Sequence, residues 1–431
     1  MAAATTTSPV KRRLIGSKLA LAIALASGTV LGATALEAPA FAQKKKNDKA
    51  PKADYSEAFI TAYKPLSDQL GVEGADQAAL KAAIPGLVAA SSTADDKMAT
   101  GNFILQVGNK NNDAALQRQG LDMMLDSGKV AAADLARLTA IAGQLAYNAG
   151  DYAAARTRME AAIAAGYSEN DPEALIAESY FKEGQHAAGL DYLDKAIATR
   201  VAAGQPVKID WIKRGLAIAY TNNQPTYANK YATMYVENQP GAESWNDAIA
   251  IALNTNKYEP AEVLDLLRLA RATKVLKKPT YMEYIESADA RRMPGEVLAI
   301  IDEGYASGEL DRTDPYVKEN RAMAERQIAA DKADLPSLER DAMGGSAQLR
   351  TVMAAGDAFL NYGQYAKAEA LYSKALGMPG VNTATALTRL GITQQAQGKT
   401  TEAAATFAKV EGARQAIARL WGVYAAQQAG S

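Results

Sequence analysis

Gly143 to Ala164 reads GQLAYNAGDYAAARTRMEAAIA, and Ala177 to Ala198 reads AESYFKEGQHAAGLDYLDKAIA. Offset by 34 residues, the two stretches meet point for point. Gly150 falls on Gly184, Tyr147 on Phe181, Met159 on Leu193, Ala162 on Ala196 and Ile163 on Ile197. A fixed period of this length, with small residues at constant points, marks a helical repeat array. The spacing has a physical cause. A small residue on the first helix of a pair lets the second approach closely, and large apolar residues fill the space beside it. Glycine in the turn supplies the left-handed backbone that ends the first helix.

Composition agrees with a folded, stacked chain and excludes several classes. Of 431 residues, 48% are hydrophobic and 22% charged, a globular rather than a disordered balance. With no cysteine there is neither a disulfide framework nor a thiolate metal site. A single histidine, His186, rules out a multi-histidine metal site. A formal net charge of −1 argues against a nucleic-acid binder. Tyrosine outnumbers phenylalanine 20 to 6, which suits rings buried at one edge with the hydroxyl in water.

Residues 1–42 have the pattern of a secretory signal peptide. Lys11, Arg12, Arg13 and Lys18 precede an apolar run that opens at Leu19 to Ala26, and Ala40-Phe41-Ala42 predicts a cut after Ala42. An uncleaved membrane anchor is the competing reading, weakened by Gly28, Thr29 and Gly32. Arg12-Arg13 matches a twin-arginine signal only loosely. No cysteine follows the apolar run, so a lipoprotein anchor is excluded. The expected location is therefore the periplasm, with secretion as the alternative. Residues 43–53 form a basic linker, QKKKNDKAPKA, read as a soluble spacer behind the cut.

From Asp54 onward apolar residues recur at helical spacing, with no sustained strand-type alternation. Residues 54–130 predict two helix pairs, 131–203 two clear repeats, 204–345 degenerate repeats, and 346–431 two further repeats and a capping helix from Arg414 to Gln428. Met343-Gly344-Gly345-Ser346 is the most linker-like point after the signal region. A separate helical domain between two short arrays is the other reading of 204–345.

The repeats resemble the tetratricopeptide family. Its small, large and turn positions are met by Gly143, Tyr147, Gly150, Ala155, Met159 and Ala162, then by Ala177, Tyr180, Gly184, Gly189, Leu193 and Ala196. A third copy has Gly356, Phe359, Gly363, Ala368, Tyr372 and Ala375, and a fourth Gly391, Gly398, Ala403, Phe407 and Val410. The resemblance implies an all-α fold of antiparallel helix pairs stacked in a right-handed solenoid, degenerate in the middle. It also implies a concave face lined by the first helix of each pair. Carried over, those positions are Arg137, Ala140, Gln144 and Tyr147, then Asp171, Ala174, Glu178 and Phe181, and later Arg350, Met353, Asp357 and Leu360. The family's carboxylate clamp needs Lys and Asn there, and Ala140, Gln144, Ala174 and Glu178 cannot form it.

No catalytic constellation stands out. There is no glycine-rich phosphate loop and no nucleophile elbow. Ser179 to Lys182 fits S-x-x-K but lies on a repeat helix, where a chance match is the better reading. Acidic residues scatter over helix faces as solvated charges do. Tyr227, Tyr231 and Tyr235 form a stripe four apart, read as core, as are Trp211, Trp245 and Trp421. No cofactor or metal is implied. The expectation is a non-enzymatic scaffold of the bacterial cell envelope that binds a protein segment through Arg137, Gln144, Tyr147, Glu178, Phe181, Arg350 and Asp357. An accessory factor for cell-wall or exported polysaccharide assembly is the alternative.

Overall fold

The computed structural model describes residues 53–430. The signal segment and nearly all of the basic linker lie outside the described residues. Among the described residues every regular element is a helix: twenty α-helices and one short 3-10 turn. Consecutive helices pack antiparallel and the pairs stack in sequence, which makes the chain an all-α helical solenoid.

The N-terminal half runs α1 (Glu57–Leu70), α2 (Gln77–Ala90), α3 (Ala94–Lys110), α4 (Ala114–Asp126), α5 (Ala132–Asn148), α6 (Tyr152–Ala164), α7 (Pro172–Lys182) and α8 (His186–Ala202). Five of these eight helices, α1 to α4 and α6, start on a short polar side chain that caps them. Asp113 accepts from the N–H groups of Ala115 and Leu116, Asp151 from that of Ala154, and Thr93 with Asp96 forms a capping box. Gly150 and Gly184 hold left-handed backbone at the ends of α5 and α7, as the turn chemistry requires.

The pairs pack by one recurring contact. Gly143 on α5 abuts Met159 on α6, and Gly215 on α9 (Ile209–Thr221) abuts Tyr231 on α10 (Pro225–Asn238). Gly356 on α16 (Leu349–Asn361) abuts Tyr372 on α17 (Tyr365–Leu376), and Gly391 on α18 (Thr383–Ala396) abuts Phe407 on α19 (Thr400–Phe407). Tyr231, Tyr235, Trp211, Trp245 and Trp421 are all buried, so the aromatic stripe is core, with only Tyr227 half-exposed and bonded to Asp191.

The middle departs from a simple run of pairs. It continues through α11 (Ala242–Thr255), α12 (Pro260–Ala272), α13 (Lys278–Ala288), α14 (Pro294–Ser307) and α15 (Pro315–Met343). In α5–α8 the first helix of each pair is odd-numbered, whereas in α16–α19 it is even-numbered. Seven helices, α9 to α15, lie between, so the pairing slips by one helix. α15 is also 29 residues long, about twice its neighbours. From α12 onward even-numbered helices also touch one another, α14 with α16 and α18 with α20, as an inner layer.

The inner layer closes on itself. The last helix, α20 (Gln415–Ala429), packs on α19 as a cap should, and also reaches back to α10, α11 and α12. Trp421 Nε1 donates to the Asp265 carbonyl at 2.9 Å, and Gln427 Nε2 donates to the Val236 carbonyl at 2.7 Å. Trp245 on α11 meets the Tyr424 ring edge-on. The C-terminal half is thus a ring rather than an open spiral.

Candidate functional site

The closure buries a network of charges. Asp265 on α12 is fully buried, and its carboxylate binds Arg268 on its own helix (2.6 Å) and Arg414 in the 3-10 turn before α20. Arg389 on α18 stands 3.7 Å from Asp265, inside ion-pair range but beyond a hydrogen bond. Arg389 also grips Asp357 on α16 through both oxygens, at 2.6 and 2.8 Å. Arg268 makes a two-point bond to Glu296 on α14, at 2.7 and 2.6 Å. Tyr284 donates to Glu296 and Tyr372 to Asp357. The Glu296 N–H donates to Asn361 on α16 at 2.8 Å.

Burial alone would raise the carboxyl pKa of Asp265, but Arg389, Arg268 and Arg414 together hold it below the usual value. Burial likewise opposes ionisation of Glu296, and the charge and hydrogen bonds of Arg268, with Tyr284, bring it below the usual range. Every one of these charges has a partner, so the network serves as the ring's internal mortar. The expectation that acidic residues lie on solvated faces is corrected here for Asp265 and Glu296.

Two of the seven residues expected on an open concave face are placed elsewhere. Asp357 is committed to Arg389 and Tyr372, because ring closure brings α18 over it. Phe181 is 7% exposed and packs into the α7–α8 interface, where the missing side chain of Gly189 admits its ring. Ala140 and Leu360 are buried too. Arg350 is exposed on α16, remote in sequence from the N-terminal group.

The other four lie along α5 and α7. Arg137 is exposed and pairs with Asp134 at 3.1 Å, and Gln144 donates to Asn148 one turn on. Tyr147, half-buried, meets Tyr152 edge-on. Burial raises its hydroxyl pKa, Glu178 adds to the rise, and Arg214 opposes it. Glu178 is held at two points by Arg214 on α9, whose guanidinium also lies 5.8 Å from the Phe181 ring. The structure therefore joins Tyr147, Glu178 and Phe181 into one patch across α5, α7 and α9, with Phe181 as its floor. Arg214 is the member that the sequence did not single out. Its signal was its place beside Gly215, which aligns with the small residue of the preceding repeat.

Ser179 is buried; its hydroxyl donates to the Ile176 carbonyl and accepts from Arg156 at 3.2 Å. An engaged, buried hydroxyl of this kind fits helix packing. No described helix is long and apolar enough to cross a membrane. The sequence matches no protein-family model and no curated protein.

Proposed function

We propose that this chain is a non-enzymatic, tetratricopeptide-type scaffold of the bacterial cell envelope that binds a partner protein segment on the α5–α7–α9 face. Export rests on the signal-like pattern of residues 1–42, and the periplasm is the favoured location. The observation that carries the binding site is the Tyr147–Glu178–Arg214 patch. It spans three successive helix pairs, its side chains are partly exposed, and each is fixed by a neighbour before any partner arrives. A preformed surface loses little free energy to ordering on binding. An aromatic ring beside a clamped ion pair suits an extended or helical peptide with both apolar and polar side chains.

The C-terminal helices do not offer an equivalent face, since Asp357 is tied to Arg389 and Tyr372 and Leu360 is buried. Binding is therefore assigned to the N-terminal half. A photo-crosslinking amino acid at Tyr147 should capture a discrete protein in cells, and one at Arg350 should not capture that protein. Only self-crosslinks at Tyr147, or the same capture from both positions, would remove this reading.

A further inference from the structure

The closed ring also forms a cavity that the α5–α7–α9 face does not use. It has a volume of about 890 Å³ and opens among α12, α14, α15, α16, α18 and α20. Small-molecule sites span roughly 300–1,000 Å³. Its wall runs from Arg268 to Tyr424 in sequence, so only the closed ring creates it.

The wall carries charge that the protein itself does not neutralise. Arg268 is paired with Glu296, Arg271 with Glu303, and Asp302 with Arg321. Among the described residues, that leaves Lys274 and Lys332, both exposed to solvent at the edge of the wall, as lining cations with no carboxylate in ion-pair range. The Lys332 ammonium lies 5.5 Å from the centre of the Tyr362 ring. The wall also contains one polar atom with an unmet need. Oε1 of Gln395 is buried and has no hydrogen-bond partner. Trp421, Tyr424, Tyr362 and Tyr365 add aromatic surface.

Lys274 is costly where it stands. It ends α12 with φ +59°, in the left-handed region. Every other described non-glycine residue with positive φ is Asn112, Asn170, Asp171, Asn223 or Asp289, whose short polar side chains tolerate that backbone. Lysine has no such compensation, and its ammonium makes no ion pair here. The position closes α12, with the Lys274 N–H bonded to the Arg271 carbonyl and the Val275 N–H to the Ala270 carbonyl, and the lysine side chain is exposed beside the cavity.

We infer that this cavity binds an anionic carbohydrate: a ring-shaped polyol bearing one or two negative charges, as in a sugar phosphate or a uronic acid. Lys274 and Lys332 neutralise the charged group. Gln395 Oε1 accepts a hydrogen bond from a hydroxyl, and the aromatic wall packs on the apolar face of the ring. The site shares no residue with the proposed peptide face, so either can fail without the other.

Isothermal titration calorimetry on the full chain tests this with glucose 6-phosphate, glucuronate, glucose and inorganic phosphate. At least one charged sugar should bind about tenfold more tightly than both glucose and inorganic phosphate, as expected for a charge-assisted contact combined with ring packing. Preference for the phosphate over the uronate, or the reverse, identifies which anionic group the site takes. Lys274→Gly should raise the melting temperature by relieving the backbone, while weakening the charged sugar about tenfold. Lys332→Gln should weaken it with little change in melting temperature. The inference is overturned if none of the probes binds, if inorganic phosphate or glucose binds as tightly as the charged sugars, or if Lys274→Gly retains full affinity.

Discussion

Gly215 on α9 lies against the ring of Tyr231 on α10, so that a Cβ on Gly215 would stand 2.6 Å from Cζ of that fully buried side chain. Tyr231 cannot yield, because its hydroxyl is tied to the Leu190 carbonyl of the preceding pair. The contact thus fixes how closely α9 and α10 pack and how that pair sits on α8. Gly215→Ala is expected to destabilise the protein by about 1–3 kcal/mol through overpacking. Urea denaturation measures this directly. An unchanged midpoint would mean that the pair can slide apart without loss.

That contact also shows what was legible in the sequence. The same step from small to large residue joins Gly143 to Met159, Gly356 to Tyr372 and Gly391 to Phe407, and it was visible because a repeat writes its packing in a fixed period. The ring was not visible. Closure depends on Asp265, Arg268, Glu296, Arg389 and Arg414, charged residues of the kind that usually lie on solvated faces. Their pairing crosses up to 149 residues, and no local pattern announces it. The slip in helix pairing was hidden for a related reason. Glycine turns mark where helices end, but not which neighbour each helix chooses. Of the residues expected on the concave face, Gln144, Tyr147 and Glu178 stand partly exposed on α5 and α7. Phe181 and Asp357 are covered by neighbours, because the register says which way a side chain starts, not what later packs over it.

Asp265 is the hub of the ring, facing Arg268, Arg389 and Arg414. Asp265→Asn keeps the shape and removes the charge, leaving buried guanidinium groups short of a counter-ion. Breaking a buried pair from one side typically costs roughly 3–5 kcal/mol. The expected outcome is a large loss of stability confined to the C-terminal half. Hydrogen exchange would show faster amides in α12 and α18, with α3 to α6 unchanged. Uniform loss across the chain would show that the two halves unfold as one unit.

Acid should open the ring for the same reason. The folded pKa values of Asp265 and Glu296 lie below their usual 3.8 and 4.5. A depressed carboxylate contributes stability that is present above the unfolded value and is lost as pH falls through the folded one. The melting temperature of the native protein is therefore expected to drop steeply below about pH 4. Asp265→Asn, already lacking one of these carboxylates, should show a shallower acid limb. Parallel pH profiles for the two proteins would place the acid sensitivity outside the Asp265 cluster.

Trp421 tests closure itself. Its ring stacks on Phe407 at 5.8 Å, its indole N–H bonds the Asp265 carbonyl, and it is 3% exposed. Trp421→Ala is expected to cost about 3–5 kcal/mol from lost burial and the cavity left behind. The place where that loss is felt is more telling than its size. In an open solenoid each unit contacts only its neighbours, so a change in α20 would loosen α18 and α19 and fade beyond them. In a closed ring the loss must also reach α10, α11 and α12, more than 150 residues earlier in the chain. Hydrogen exchange should therefore show two separated stretches losing protection together, one at the C terminus and one around Asp265. If only α18 and α19 respond, α20 is a simple cap and the ring contributes nothing to the stability of the middle helices.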